Sequence, residues 1–148
     1  EAVFPELVNN HPERYRGETL KSHCEAMHSY LRENKIMELM HNSFEAIPVP
    51  AMLPVEAAAH VVRGNVEMVD VAKLNNRTVA VMLVPYPPGI PVMMGGETMS
   101  GEAKAIAEYL LAREKFENEF PGYEGDIHGI TREQRGRRTV FRTLCIKK

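Results

Sequence analysis

Cysteine is scarce in this chain: two in 148 residues, Cys24 and Cys145. Two thiols make a poor disulfide framework, and we read them as free thiols of a reducing compartment. Neither sign of charge is in excess. Eighteen Lys and Arg face twenty Asp and Glu, a formal net charge of −2, which argues against a dedicated polyanion binder. No apolar run approaches the ~20 residues needed to cross a bilayer. The opening Glu1-Ala2-Val3-Phe4-Pro5 has neither the basic nor the apolar block of a signal peptide. It also lacks an initiator Met, so a fragment of a longer protein is the expectation. Internal repeats and low-complexity tracts are missing too. Gly95-Gly96-Glu97 stands before a helix, but without the Lys-Ser/Thr of a phosphate loop or the spacing of a dinucleotide fingerprint. No serine sits in a nucleophile elbow. From spacing alone, no complete active site can be assembled.

What is present reads as one domain, long enough to bury roughly 70% of the surface of its unfolded chain. Residues 1–17 are punctuated by Pro, Asn and Gly and read as an irregular lead-in or linker, with the domain proper over 18–148. Thr19 is a helix-cap candidate, followed by Leu20, Cys24, Met27, His28 and Leu31 at steps of three and four. Lys35 to Ala46 is a second helical stretch, ended by Pro48 and Pro50. Pro54 opens a short helix with Ala57, Ala58 and Val61 inward and Gly64 as its stop. The period then changes to two. Val66 to Val71 reads as a half-buried strand, Asn75-Asn76 as a turn, and Val79 to Val84 as a strand covered on both faces. Ser100 caps a long helix to about Phe120, stopped by Pro121-Gly122. Arg135-Gly136 is a hairpin turn feeding a last strand, Thr139 to Ile146. The fold class is α+β, a small mixed or antiparallel sheet covered by helices.

Chemistry-bearing residues are few. Cys24 and His28 are four apart and could share an ion, but their neighbours are Leu20, Met27 and Leu31 and no third ligand is spaced near them, so core packing is the reading and no metal site is assigned. His41 and His60 stand alone. The arginines at 132, 135, 137, 138 and 142 are broken by Glu133 and interleaved only by Phe141, which describes a solvated hairpin rather than a nucleic-acid surface. Two segments remain. Val84-Pro85-Tyr86-Pro87-Pro88-Gly89-Ile90-Pro91 packs four prolines and a glycine into eight residues, a stiff strip poor in backbone donors. Gly122 to Gly129 ends in Asp126-Ile127-His128-Gly129. Both are loops shaped to meet another surface.

These two strings, with Gly96-Glu97, Pro54, Val62-Arg63-Gly64 and Glu67, closely resemble the C-terminal domain of bacterial ornithine/lysine/arginine decarboxylases over about residues 15–146. Gly95 stands where that family commonly has proline. The resemblance implies a large cytoplasmic enzyme, homo-oligomeric as a dimer or ring of dimers. Such enzymes use pyridoxal phosphate to remove CO₂ from a basic amino acid, consuming a proton, with links to polyamine metabolism and acid stress. It also implies that the cofactor lysine lies upstream, in a Ser-x-His-Lys-type segment. No lysine of this chain follows a histidine. We therefore expect no catalytic or cofactor-binding residue here, with Tyr86, Pro87, Pro88, Gly89, Glu97, Asp126 and His128 as candidates for docking on the catalytic domain or lining its entrance. The strip and the Gly122–Gly129 loop are expected side by side, and apolar exposure is expected at the strip and at Met93-Met94. A stand-alone interaction or regulatory module of the same fold is the alternative. A small independent metal protein using Cys24, His28 and His128 is a third.

Overall fold

The computed structural model describes residues 5–148. It begins with two short helices, α1 (Pro5–Asn10) and α2 (Pro12–Tyr15), then α3 (Leu20–Glu33) and α4 (Ile36–Glu45). The two-residue strand β1 (Val49–Pro50) and helix α5 (Pro54–Val62) lead to strand β2 (Val66–Asp70). A 3-10 turn follows, and then the short strands β3 (Val84–Pro85) and β4 (Glu97–Thr98). The long helix α6 (Lys104–Glu119), strand β5 (Ile127–His128) and the hairpin of β6 (Ile130–Arg135) and β7 (Arg138–Ile146) complete it.

The strands form an antiparallel sheet in the order β2-β7-β6, flanked by two two-stranded ribbons, β1-β4 and β3-β5. Helix α6 packs against β7 and against α4. Ile106 and Leu110 of α6 meet Phe141 and Cys145 of β7 in one buried cluster, with Leu74, Val79, Leu83 and Met93 from the connecting segments. Each fully buried side chain of this kind contributes about 1.5–3 kcal/mol.

Local chemistry explains most boundaries. Thr19 and Ser22 close a reciprocal capping box on α3, and Pro54 occupies the first turn of α5, where its missing N–H costs nothing. Gly136 turns the β6-β7 hairpin.

Several expectations need correction. Residues 5–15, read as irregular, are helical, and Tyr15 is completely buried; residues 1–4 lie outside the described residues. On α3 the buried side chain is His23, while Leu20 is 53% exposed and Cys24 and His28 face outward. The face is set by Tyr15, from the preceding helix, and by Phe120 and Tyr123 from the far end of the chain, which together ring His23. Ala57 of α5 is buried, but Ala58 is exposed. Helix α6 starts after a 3-10 turn, and Ser100 makes no side-chain cap bond.

Val79 to Val84, expected as one strand covered on both faces, is neither: Val79, Ala80, Leu83 and Val84 are buried but Met82 is 41% exposed, and only Val84 enters a strand, as the first residue of β3. Val79 N donates to Glu97 O (2.9 Å) and Ala80 N to Leu144 O (2.8 Å), two partners from different segments, and the chain then bends over Ala80 and Val81. Gly95 presses into this bend. A Cβ there would lie 2.9 Å from Ala80 O, so the turn before β4 closes only because Gly95 carries no side chain.

Candidate functional site

The proline strip and the second loop meet. Val84 pairs with His128 and Pro85 with Ile127 in the β3-β5 ribbon, and Tyr86 N donates to Asp126 O at 2.8 Å. The ribbon sits where β6 begins, held there by Thr143 Oγ1 donating to Gly129 O at 2.7 Å. The strip turns back on itself, with Gly89 N donating to Pro85 O (2.9 Å) and the Tyr86 ring lying over Gly89. The Tyr86–Pro87 and Pro87–Pro88 peptide bonds are cis. Pro87, Pro88 and the side chains of Asp126 and His128 are exposed, Tyr86 is 47% exposed and Ile90 56% exposed.

Glu97 does not join this group. It sits in the other ribbon, paired with Pro50, and its carboxylate accepts a hydrogen bond from Met94 N at 2.7 Å, closing its own turn. Met93, expected at an apolar edge, is core; Met94 is exposed beside it. A second apolar surface appears on β1 and α5, where Ile47, Val49, Leu53, Val55 and Val62 are all well exposed. Val55, Ala58 and Val62 recur at steps of three and four, so α5 is apolar on its outer face as well as its inner one.

The loop carrying Asp126 is braced from below by residues that spacing alone did not single out. Glu117, on the buried face of α6, has a side chain only 1% exposed. It accepts from Arg132 Nε (2.7 Å), Arg132 Nη2 (2.8 Å) and Gly125 N (3.1 Å), and Arg132 Nη2 donates as well to Gly125 O. The Glu117 hydrogen bonds hold the Arg132 guanidinium above its already high range. Arg113 lies directly under Gly125, its Nη2 in the way of any Cβ at that position. The one available signal was an acid, Glu117, four residues after Arg113 within the apolar spacing of α6.

A further clasp ties the N-terminal helices to this loop. Tyr15 OH donates to Pro121 O at 2.7 Å, and His23 Nε2 is 3.0 Å from Tyr123 OH. Burial first, and then the Arg14 charge, disfavour the His23 cation against the pull of Glu18.

Among the described residues, no three His, Cys, Asp or Glu side chains gather in a metal-ligating group, and no helix is long and apolar enough to cross a membrane. All seven lysines, 21, 35, 73, 104, 115, 147 and 148, are exposed.

Comparison with known proteins places this geometry. The family described as Orn/Lys/Arg decarboxylase, C-terminal domain, matches residues 37–147. Lysine decarboxylase LdcA of Pseudomonas aeruginosa is 38% identical over 146 residues, 99% of this chain and 19% of that protein. The biodegradative arginine decarboxylase of Escherichia coli K12 is 30% identical over 145 residues, 98% of this chain and 19% of its own length. The solved structure of the E. coli constitutive lysine decarboxylase superposes with a TM-score of 0.86 at 31% identity, covering 97% of this chain and 20% of that one. The chain thus spans about one-fifth of the length of the relatives it matches. It belongs to the ornithine/lysine/arginine decarboxylase family, as the C-terminal domain of such an enzyme.

Proposed function

We propose that this domain serves a pyridoxal-phosphate-dependent decarboxylase of a basic amino acid without doing the chemistry itself. The strip and the outer face of α5 dock on the catalytic part or a neighbouring subunit, and the Asp126–His128 segment borders the substrate entrance. The parent enzyme is a cytoplasmic homo-oligomer, a dimer or ring of dimers. Pyridoxal phosphate, held in that other part, supplies the electron sink for loss of CO₂. The observation that carries the reading is the pairing of a rigid, half-exposed apolar strip with an exposed carboxylate and imidazole in one ribbon. Prolines fix φ before docking, so little conformational entropy is lost when the strip is covered. Tyr86 and Ile90 supply the apolar contact.

Asp126 acts by steering. At ~8 Å a carboxylate attracts one cationic group by about 0.5 kcal/mol in water and about 2 kcal/mol at an effective dielectric of ~20. Replacing Asp126 with Asn in the full-length enzyme therefore raises KM roughly two- to thirtyfold with kcat unchanged, and the effect shrinks as salt is added. An unchanged KM refutes the entrance role.

A further inference from the structure

We propose that Glu117 is a positioning residue for Asp126: by engaging Arg132 and the Gly125 peptide together, it fixes the loop and keeps the Arg132 cation off the Asp126 carboxylate. This inference rests on the entrance role of Asp126 given above.

The Gly125 peptide is gripped at both of its polar groups. Its N–H donates to Glu117 Oε1 at 3.1 Å, and its C=O accepts from Arg132 Nη2. The next residue is Asp126, whose carbonyl accepts from Tyr86 N at 2.8 Å, so the grip passes directly into the strip. The Asp126 side chain is exposed and, among the described residues, accepts no side-chain hydrogen bond, although the Arg132 charge already lies within its field. Arg132 is the cation at hand. It reaches the carbonyl immediately before Asp126, and its guanidinium also lies over the Phe141 ring, 5.1 Å from the centroid. With Glu117 present, the Nε–Nη2 edge of Arg132 is committed to a buried carboxylate, a bidentate pairing with fixed geometry. Without that charge, Arg132 is left to the two exposed carboxylates whose field it already feels, Glu124 and Asp126, and a turn towards Asp126 takes negative charge from the entrance although Asp126 is intact. Gly125 and Arg113 complete the device. Arg113 fills the space below the peptide, so a side chain at Gly125 would have to displace the Arg113 guanidinium.

The test is a double-mutant cycle in the full-length decarboxylase. Glu117→Gln keeps the shape of the side chain and removes its charge. It is expected to raise KM by about the same factor as Asp126→Asn, with kcat unchanged. The double variant should be no worse than either single one, because both act through one carboxylate. Amide exchange over residues 122–128 should quicken in Glu117→Gln. Gly125→Ala moves the peptide with every charge kept, and should raise KM in a way that Arg113→Ala partly restores; this pair decides the matter if Glu117→Gln fails to fold. An unchanged KM in Glu117→Gln, or additive effects in the cycle, overturns the proposal. If Asp126→Asn itself leaves KM unchanged, the entrance role falls, and faster exchange over 122–128 in Glu117→Gln then still upholds the clamp.

Discussion

Replacing Tyr15 with Ala is expected to destabilise the whole domain, although Tyr15 precedes the stretch matched by the family. The ring is fully buried, edge-on to His23 at 5.2 Å, with the Arg14 guanidinium 5.3 Å from its centroid. Large-to-small replacement of a buried aromatic costs about 3–5 kcal/mol. Typical domain stabilities are about 5–15 kcal/mol, so that loss is a large fraction of the total. At about 2–4 °C per kcal/mol for a chain of this size, Tm should fall by roughly 6–20 °C. Tyr15→Phe isolates the hydrogen bond to Pro121 O and should cost about 1–2 kcal/mol, since the carbonyl loses its donor. Urea unfolding at unchanged slope measures both. Alkali gives a second reading. Burial pushes the Tyr15 phenol up to about 12, from about 10 when unfolded, so its contribution is complete below about pH 10 and is lost as pH rises through 12. A Tyr15→Ala variant within about 0.5 kcal/mol of the parent would show residues 5–15 to lie outside the cooperative fold, and would refute the reasoning.

Two further perturbations follow from the sheet. Asp70 accepts from Arg135 Nη1 and Nη2 at 2.8 Å each, which holds its carboxyl below the usual range. Stability from this group is therefore complete above about pH 4 and is lost as pH falls through the depressed folded value. Asp70→Asn should flatten the acid limb of a stability–pH curve, and an unaltered limb would contradict the assignment. Cys145 is buried and its thiol is pushed up to about 11 by that burial, whereas Cys24 is exposed. A thiol reagent at about pH 8 should label Cys24 in the native protein and reach Cys145 only on unfolding. Stability should also decline as pH rises from about 8.5, where the unfolded thiol ionises, towards 11. Equal native labelling of both thiols would contradict the packing.

Much of the fold was legible where local pattern and tertiary partner agree. The spacing of Ile106, Tyr109, Leu110 and Phe116 marks α6, alternation marks β2, and Gly136 marks the hairpin. The neighbouring of the strip and the Gly122–Gly129 loop was also legible, because a helix of this length crosses a small domain once and delivers its end to the far side. The misses share one cause. His23 rather than Cys24 or His28 is buried because Tyr15, Phe120 and Tyr123 converge on it, and two of the three come from the other end of the chain. Val79 to Val84 looks like a strand because burial and β-propensity are properties of composition; its bend follows from where Glu97 and Leu144 offer carbonyls. Glu97 was grouped with Asp126 by charge, but its turn takes up its carboxylate. Glu117 escaped because an acid within an apolar stripe gains meaning only from the arginine it meets, Arg132 on another element.

If the reading proposed above holds, the strip and the α5 face are covered by the rest of a decarboxylase. Hydroxyl-radical labelling of Tyr86, Ile90, Leu53 and Val55 tests it most directly, comparing this chain alone with a full-length enzyme that carries it. All four side chains are exposed here. Labelling should fall several-fold at these positions in the full-length enzyme, while outward-facing residues of the β6-β7 hairpin label equally in both. Equal labelling of Tyr86 and Ile90 in the two proteins would contradict it.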